Sequence, residues 1–440
     1  MLDTVREIIL ESQEAAFNTG VPRHLALHPV PNKATVCIGV RRCGKSTLMY
    51  QQAEKLLAAG VARDNICFIN FFDDRLHGLQ QAPLGVILDA YYSLYPQKKG
   101  EERVYWFFDE IQSVPNWEPF VERLIRTEDC QVFITGSSAR MLSREIATQM
   151  RGRALSWELF PFSFREFLAY GGLHVGGAMS PRVRLRVQAA FDDYWDRGGF
   201  PEVAGLGSPL RIRIHQEYFH AILYRDLVER HDPAHPKAII DLAHRLIDNT
   251  ASLYTLNKLW GYLQSLGHKI TKSAVAEYLD WFEDAYFLFT VRLFDASIAK
   301  SNANPKKIYA IDHSFVSSTS SGVLVNSGHL LENLVFVALR SRTRDIHYYK
   351  TKNGREIDFI IKLEGQRHLV QVSESITHAR TRKRELDALA EAMGEQGLSR
   401  GTVVTRNEQE ELRVAQGTIH VIPAWRFLLE FPQERHDGAR

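Results

Sequence analysis

Cysteine is scarce in this 440-residue chain, and the scarcity already excludes something. Only Cys37, Cys43, Cys67 and Cys130 are present, all in the first third, three of them in or beside apolar, strand-like runs. That distribution argues against a disulfide framework or a cysteine-based zinc site and points to reduced thiols in a cytoplasmic protein. Long apolar runs are missing too. The longest patch, AYFLFTVRLF, is short and contains Arg292, so no membrane span is expected. Net charge is nearly absent at +2, which removes any global field for nucleic acid and leaves only local patches to attract it. The first residues, MLDTVREIILESQEAAF, mix acids with helical amphipathic spacing, unlike a signal peptide. There is no internal repeat and no low-complexity stretch.

What remains is the composition of an ordinary globular protein, 45% apolar and 24% charged, with a length that suits two or three domains. The stretch that organises it is GVRRCGKST. Gly39, Val40, Arg41, Arg42, Cys43, Gly44, Lys45, Ser46 and Thr47 match the phosphate-loop pattern GxxxxGK[ST], in which backbone N–H groups wrap nucleotide phosphates. ATVCIGV before it reads as a buried strand, and STLMYQQAEKLLAAG after it reads as a helix stopped by Gly60. That order aims a helix N-terminus at an anion.

From Thr35 to Glu158 apolar strands (NICFINFFDD, RVYWFFDEI, QVFITGSS) alternate with amphipathic helices (LGVILDAYYSLY, WEPFVERLIRTE). Alternation of this kind predicts a parallel sheet covered on both faces, with the ligand at the carboxyl edge of the strands. Lys45 is then placed to reach the terminal phosphates, and Ser46 to hold Mg2+. Asp109 and Glu110 cap an apolar strand, the first suited to the metal shell and the second to polarising a water. Thr135, Gly136, Ser137 and Ser138 end another strand, where a hydroxyl such as that of Ser137 either positions that water or belongs to an ordinary polar exit. Arg151 and Arg153 in MRGRALSW are either phosphate-directed arginines or a solvated turn. Arg41 and Arg42 face phosphate or a neighbour.

Residues 161–235 read as a helical subdomain with a Gly-Gly-Phe-Pro break at Gly198–Pro201. Residues 236–300 carry three helical patterns, with Thr255 and Thr271 as caps, followed by FLFTVRLF as a wing. This is the outline of a winged helix-turn-helix. Lys258, Lys269 and Lys272 are its candidate DNA contacts, although Asp280, Glu283 and Asp284 make the far end of the last helix acidic, which suits protein contacts equally. Residues 301–440 mix strands and helices and end in a polar tail, QERHDGAR, expected to fray. Here Glu332 on a helix, Glu356 and Asp358 on EIDFII, and Gln371 on HLVQVS trace a metal-dependent nuclease core of the restriction-endonuclease type. Its usual Glu-x-Lys is replaced by Gln371 and Ser373, so binding is expected rather than cleavage.

These strings together resemble a large group of prokaryotic ATP-binding proteins. In that group an AAA-type ATPase domain is joined through a winged helix to a restriction-endonuclease-like C-terminal domain of unknown function. The resemblance rests on GVRRCGKSTL, FFDEIQ, ITGSSARML, RGRALSWELFPFSFREFL, GGFPEV, YRDLVERH, KIYAIDHSF, LLENLVFVAL and GREIDFIIK. It implies ATP binding through Gly39 to Ser46, Mg2+ and hydrolysis through Ser46, Asp109 and Glu110, and an arginine role for Arg153. The fold expected is α/β: a P-loop NTPase parallel sheet over 1–160, then the helical, winged-helix and nuclease-like parts. The work expected is an ATPase coupled to DNA, with an ATP-gated switch for a protein partner as the alternative and nuclease action third. AAA-type domains commonly assemble as homo-oligomers whose sites a neighbour completes.

Overall fold

In the first part of the chain, runs of five to seven residues with no interior charge have one stable destination, a strand covered on both faces. The computed structural model describes residues 1–80, 83–137, 150–177, 179–322 and 326–431; the tail expected to fray and Ser138 lie outside them. The chain divides into two compact units, residues 1–160 with 284–286, and residues 161–283 with 287–440. Among the described residues no helix is long and apolar enough to cross a membrane.

The first unit is built on five parallel strands: β1 (Ala34–Ile38), β2 (Ile66–Asn70), β3 (Val104–Asp109), β4 (Cys130–Gly136) and β5 (Ala154–Glu158), in the order β2-β3-β4-β1-β5. Helices α1 (Leu2–Glu14), α2 (Lys45–Ala58), α3 (Gly85–Leu94) and α4 (Trp117–Thr127) accompany them, giving the α/β fold of a P-loop NTPase. β4 lies between β3 and β1, as a role for its hydroxyls at the phosphate required. Phe68, Phe107 and Phe133 occupy matched positions on β2, β3 and β4. Their rings stack at centroid distances of 5.8 and 4.5 Å and form a rib across the middle of the sheet. β5 has no counterpart in the expectations from sequence. Every residue of ALSWE is only half-buried at the sheet edge, so its pattern lacks the apolar density that betrays the other strands.

A nine-stranded mixed sheet organises the second unit, in the order β13-β14-β12-β11-β10-β9-β7-β8-β6. Its strands are β6 (Leu253–Tyr254), β7 (Leu288–Leu293), β8 (Lys306–Ala310), β9 (Ile346–Lys350), β10 (Glu356–Leu363), β11 (Gln366–Val372), β12 (Arg400–Thr405), β13 (Glu410–Val414) and β14 (Gly417–Pro423). The helices Pro236–Asp248, Leu256–Ser265 and Lys272–Asp284 intersperse with β6 and precede the antiparallel pair β7 and β8. Because β7 also pairs with β9, the sheet is continuous from this segment into the C-terminal part. Behind β10, β11, β12 and β14, the helix Ala379–Gln396 packs Leu389 and Met393 onto Ile357, Leu369, Val403 and Ile419. The Gly-Gly-Phe-Pro break is held by Asp312, whose carboxylate accepts from Gly199 N at 2.8 Å.

Phe107 is fully buried between two stacked rings, so Phe107→Ala should cost about 3–5 kcal/mol. Urea unfolding followed by a probe in the first unit measures this, and a loss below about 1 kcal/mol would show that the rib is not part of the core.

Candidate nucleotide site

The loop after β1 runs into α2 at Lys45, and the glycines in it are demanded by space and by backbone angle. A Cβ on Gly39 would stand 2.1 Å from the carbonyl oxygen of Leu159, and Gly44 caps α2 at φ +98°, a conformation side chains resist. Arg23, which nothing in the local sequence pattern singled out, anchors this loop from outside. Its guanidinium donates to the Cys43 and Phe160 carbonyls, each at 2.6 Å. Gln51 of α2 secures the segment carrying Arg23, accepting from Arg23 N at 3.1 Å and donating to the carbonyls of Thr19 and Val21.

Strand order brings three predicted elements to one carboxyl edge. Lys45 Nζ, buried, contacts the carbonyls of Gly39 and Val40 at 3.2 Å each and the Glu110 carboxylate at 3.3 Å. Ser46 Oγ donates to Asp109 Oδ2 at 2.8 Å. Thr135 joins the two acids: its hydroxyl donates to Asp109 Oδ1 and accepts from Glu110 N at 2.9 Å. Gln112 donates to Glu110 Oε2 and, at 3.4 Å, to the buried Ser137 Oγ. Glu110 holds a left-handed backbone at φ +55°, uncommon for a side-chain-bearing residue.

The environment separates the acids electrically. Burial dominates at Asp109 and raises its pKa despite the hydrogen bond from Thr135. Burial also disfavours the charge on Glu110, but the Lys45 ammonium with Gln112 and Arg41 outweighs it and holds the carboxyl below its usual range. On Lys45 burial opposes the charge, and Glu110 with the neighbouring groups restores and exceeds it. The Ser46 hydroxyl and the Asp109 carboxylate, adjacent hard oxygen donors, fit a Mg2+ ion that takes few protein ligands.

Arg153 precedes β5, whose first residue pairs with Ala34 at the amino end of β1, whereas the loop leaves the carboxyl end. Arg153 lies 3.8 Å from Glu122, at the end of the sheet opposite the loop. Arg41 leans over the Phe72 ring at 5.8 Å, and Arg42 turns the loop at φ +65°.

In the second unit Lys258, Lys269 and Lys272 are exposed, with Lys272 over the Trp260 ring at 5.2 Å and Thr255 capping its helix by accepting from Lys258 N. Glu332, Glu356 and Asp358 do come together around Lys307, and Gln371 bonds to the Asp358 backbone; Lys307 opens the KIYAIDHSF string, but nothing in that string tied it to the acids. Lys307 Nζ on β8 meets Glu332 and Glu356 at 2.9 Å and Asp358 at 2.8 Å. Asp358 also accepts from Val372 N, Tyr309 donates to Glu332, and Gln371 donates to Glu385. With an ammonium at the convergence point, these acids do not fit a metal.

Residues 31–168 match the AAA domain family, 188–322 a domain of unknown function, DUF8612, and 327–427 a second one, DUF4143. Together with the loop geometry, this makes residues 31–168 an AAA-type P-loop NTPase domain. The uncharacterized protein MJ1544 of Methanocaldococcus jannaschii is 33% identical over 437 residues, covering 97% of this chain and 95% of that protein, and the chain belongs to its family. An uncharacterized protein of Haemophilus influenzae is 30% identical over 346 residues, covering 78% of this chain and 82% of its own. Among solved structures, the Walker-type ATPase PABY2304 of Pyrococcus abyssi aligns with a TM-score of 0.40 at 14% identity, over 72% of this chain and 94% of that one. The Aeropyrum pernix ORC1 protein, solved in complex with DNA, aligns at 0.31 and 11% identity, over 73% and 92%.

Arg23→Ala removes two charged-donor hydrogen bonds at the loop, each worth about 1.5–3 kcal/mol. Nucleotide affinity, read by fluorescent-analogue titration, should fall at least about tenfold, and Arg23→Lys should recover only part of it.

Proposed function

We propose that this protein is a Mg2+-dependent ATPase that couples ATP binding and hydrolysis to a conformational change on DNA. The observation that carries the hydrolytic half is the Lys45–Glu110 pair beside the Ser46–Asp109 pair, all set by Thr135. The γ-phosphate competes for the Lys45 ammonium, and what Lys45 yields leaves Glu110 Oε1 open to accept a proton from an attacking water. Gln112 holds the other Glu110 oxygen, so the base turns about a fixed point. Ser46 and Asp109 would hold a Mg2+ ion, which would supply positive charge to offset that of the terminal phosphates. Ser137 lies buried against Gln112, at a distance suited to sensing that phosphate through Glu110. Arg153, remote from its own site, is left a role at a neighbour's site in a homo-oligomer.

The DNA half rests on the helix, β6, helix, helix, β7, β8 order, which suits a winged helix-turn-helix reaching to Ala310, and on the exposed Lys258, Lys269 and Lys272. A second reading, an ATP-gated switch for a protein partner, is favoured by Glu277 and Asp280, exposed on the same helix as Lys272. The free cysteines suit a cytoplasmic location under either reading.

Glu110→Gln should bind ATP while turnover drops by about 10²–10⁴-fold, as loss of a general base predicts. Full turnover in that variant would remove Glu110 from the role. Replacing Lys258, Lys269 and Lys272 by Ala should flatten the dependence of log K for DNA on log salt by roughly 0.9 for each phosphate that is no longer neutralised. If no DNA binds even at low salt, while a protein partner is retained only by the Glu110→Gln chain, the second reading stands instead.

A further inference from the structure

The acid cluster of the second unit has the composition of a divalent-cation site and the geometry of something else. Mg2+ draws oxygen ligands to about 2.0–2.1 Å and keeps several waters. Here one oxygen each of Glu332, Glu356 and Asp358 converges on Lys307 Nζ at 2.8–2.9 Å, the spacing of N–H···O bonds. An ammonium has three protons, and each finds one carboxylate. Lys307 is only 3% exposed, so its charge is committed to these acids and not to solvent or a ligand. The surrounding bonds fit the same arrangement. Asp358 Oδ2 is taken by Val372 N, Tyr309 donates to the same Glu332 oxygen that meets Lys307, and Gln371 accepts from Asp358 N while donating to Glu385. Lys350 stands 3.9 Å from the outer oxygen of Glu356.

We propose that the Lys307 ammonium is a built-in replacement for a divalent cation. It offsets part of the charge of Glu332, Glu356 and Asp358 and ties β8 to β10 and to the helix Ser327–Arg340, so this part of the chain folds without metal and does not cleave phosphodiesters by a metal-dependent route. Removing the ammonium while keeping the acids then uncovers a latent metal site. The side chain stays near its length and volume in Lys307→Met, and only the charge is lost.

The test uses the full chain without nucleotide and Mn2+ alone as probe, counting bound ions by electron paramagnetic resonance alongside thermal melts. Wild type and Asp358→Asn should bind the same number of Mn2+ ions, because Asp358 is occupied by Lys307. Lys307→Met should bind one more than wild type, lose it again in Lys307→Met/Asp358→Asn, and gain at least about 3 °C in melting temperature from Mn2+ that wild type does not gain. Any ion at Ser46 and Asp109 is common to all variants and cancels. The proposal is overturned if Asp358→Asn alone costs wild type an ion, or if Lys307→Met takes up no extra Mn2+. The comparison of wild type with Asp358→Asn decides even where Lys307→Met folds poorly.

Discussion

The hydroxyl of Thr135 is the hub of the first unit. It sits on β4, the strand inserted between β3 and β1, and binds Asp109 and the backbone of Glu110 at once. Without β4 in that slot, the acids that end β3 would stand apart from the loop that follows β1. The stacked phenylalanines across β2, β3 and β4 hold the register that makes this coincidence possible. Core packing and site chemistry are here consequences of one pairing pattern.

Both units also face one electrostatic problem, a lysine removed from water, and they answer it differently. Lys45 keeps one carboxylate and two carbonyls, a loose set from which a phosphate can draw it. Lys307 keeps three carboxylates at closer range, a set with no donor direction left over. Burying an unpaired charge costs several kcal/mol, so each lysine is held by what surrounds it, and the difference lies in how completely. An ammonium that must act is left under-coordinated, while one that must stay is enclosed.

Much of this was legible in the residues because apolar runs and glycine spacing report directly on backbone. The loop from Gly39 to Thr47, the acids after β3 and the strands β1 to β4 follow from pattern alone. β5 escaped because an edge strand that is half-buried throughout shows no clear period, and β13 and β14 escaped as well, β13 being an edge strand with no buried residue. The roles of Arg23 and Lys307 were invisible for another reason. Their partners are distant in sequence, and only the folded chain brings the charges together. Which end of the sheet Arg153 occupies is set by β5, an edge strand without a sequence signature.

The sheet of the second unit has a mechanical consequence. Nine strands joined edge to edge behave as one elastic plate, stiff across every wide ladder. β10 and β11 share five matched positions, but β7 and β9 share two, Arg292 with His347 and Leu293 with Tyr348. The edge pair β6 and β8 is as narrow, and between broader ladders a plate flexes along such a weld. Torque applied to the three-helix side would therefore collect at this seam, two residues long, and leave the broad ladders on either side undeformed.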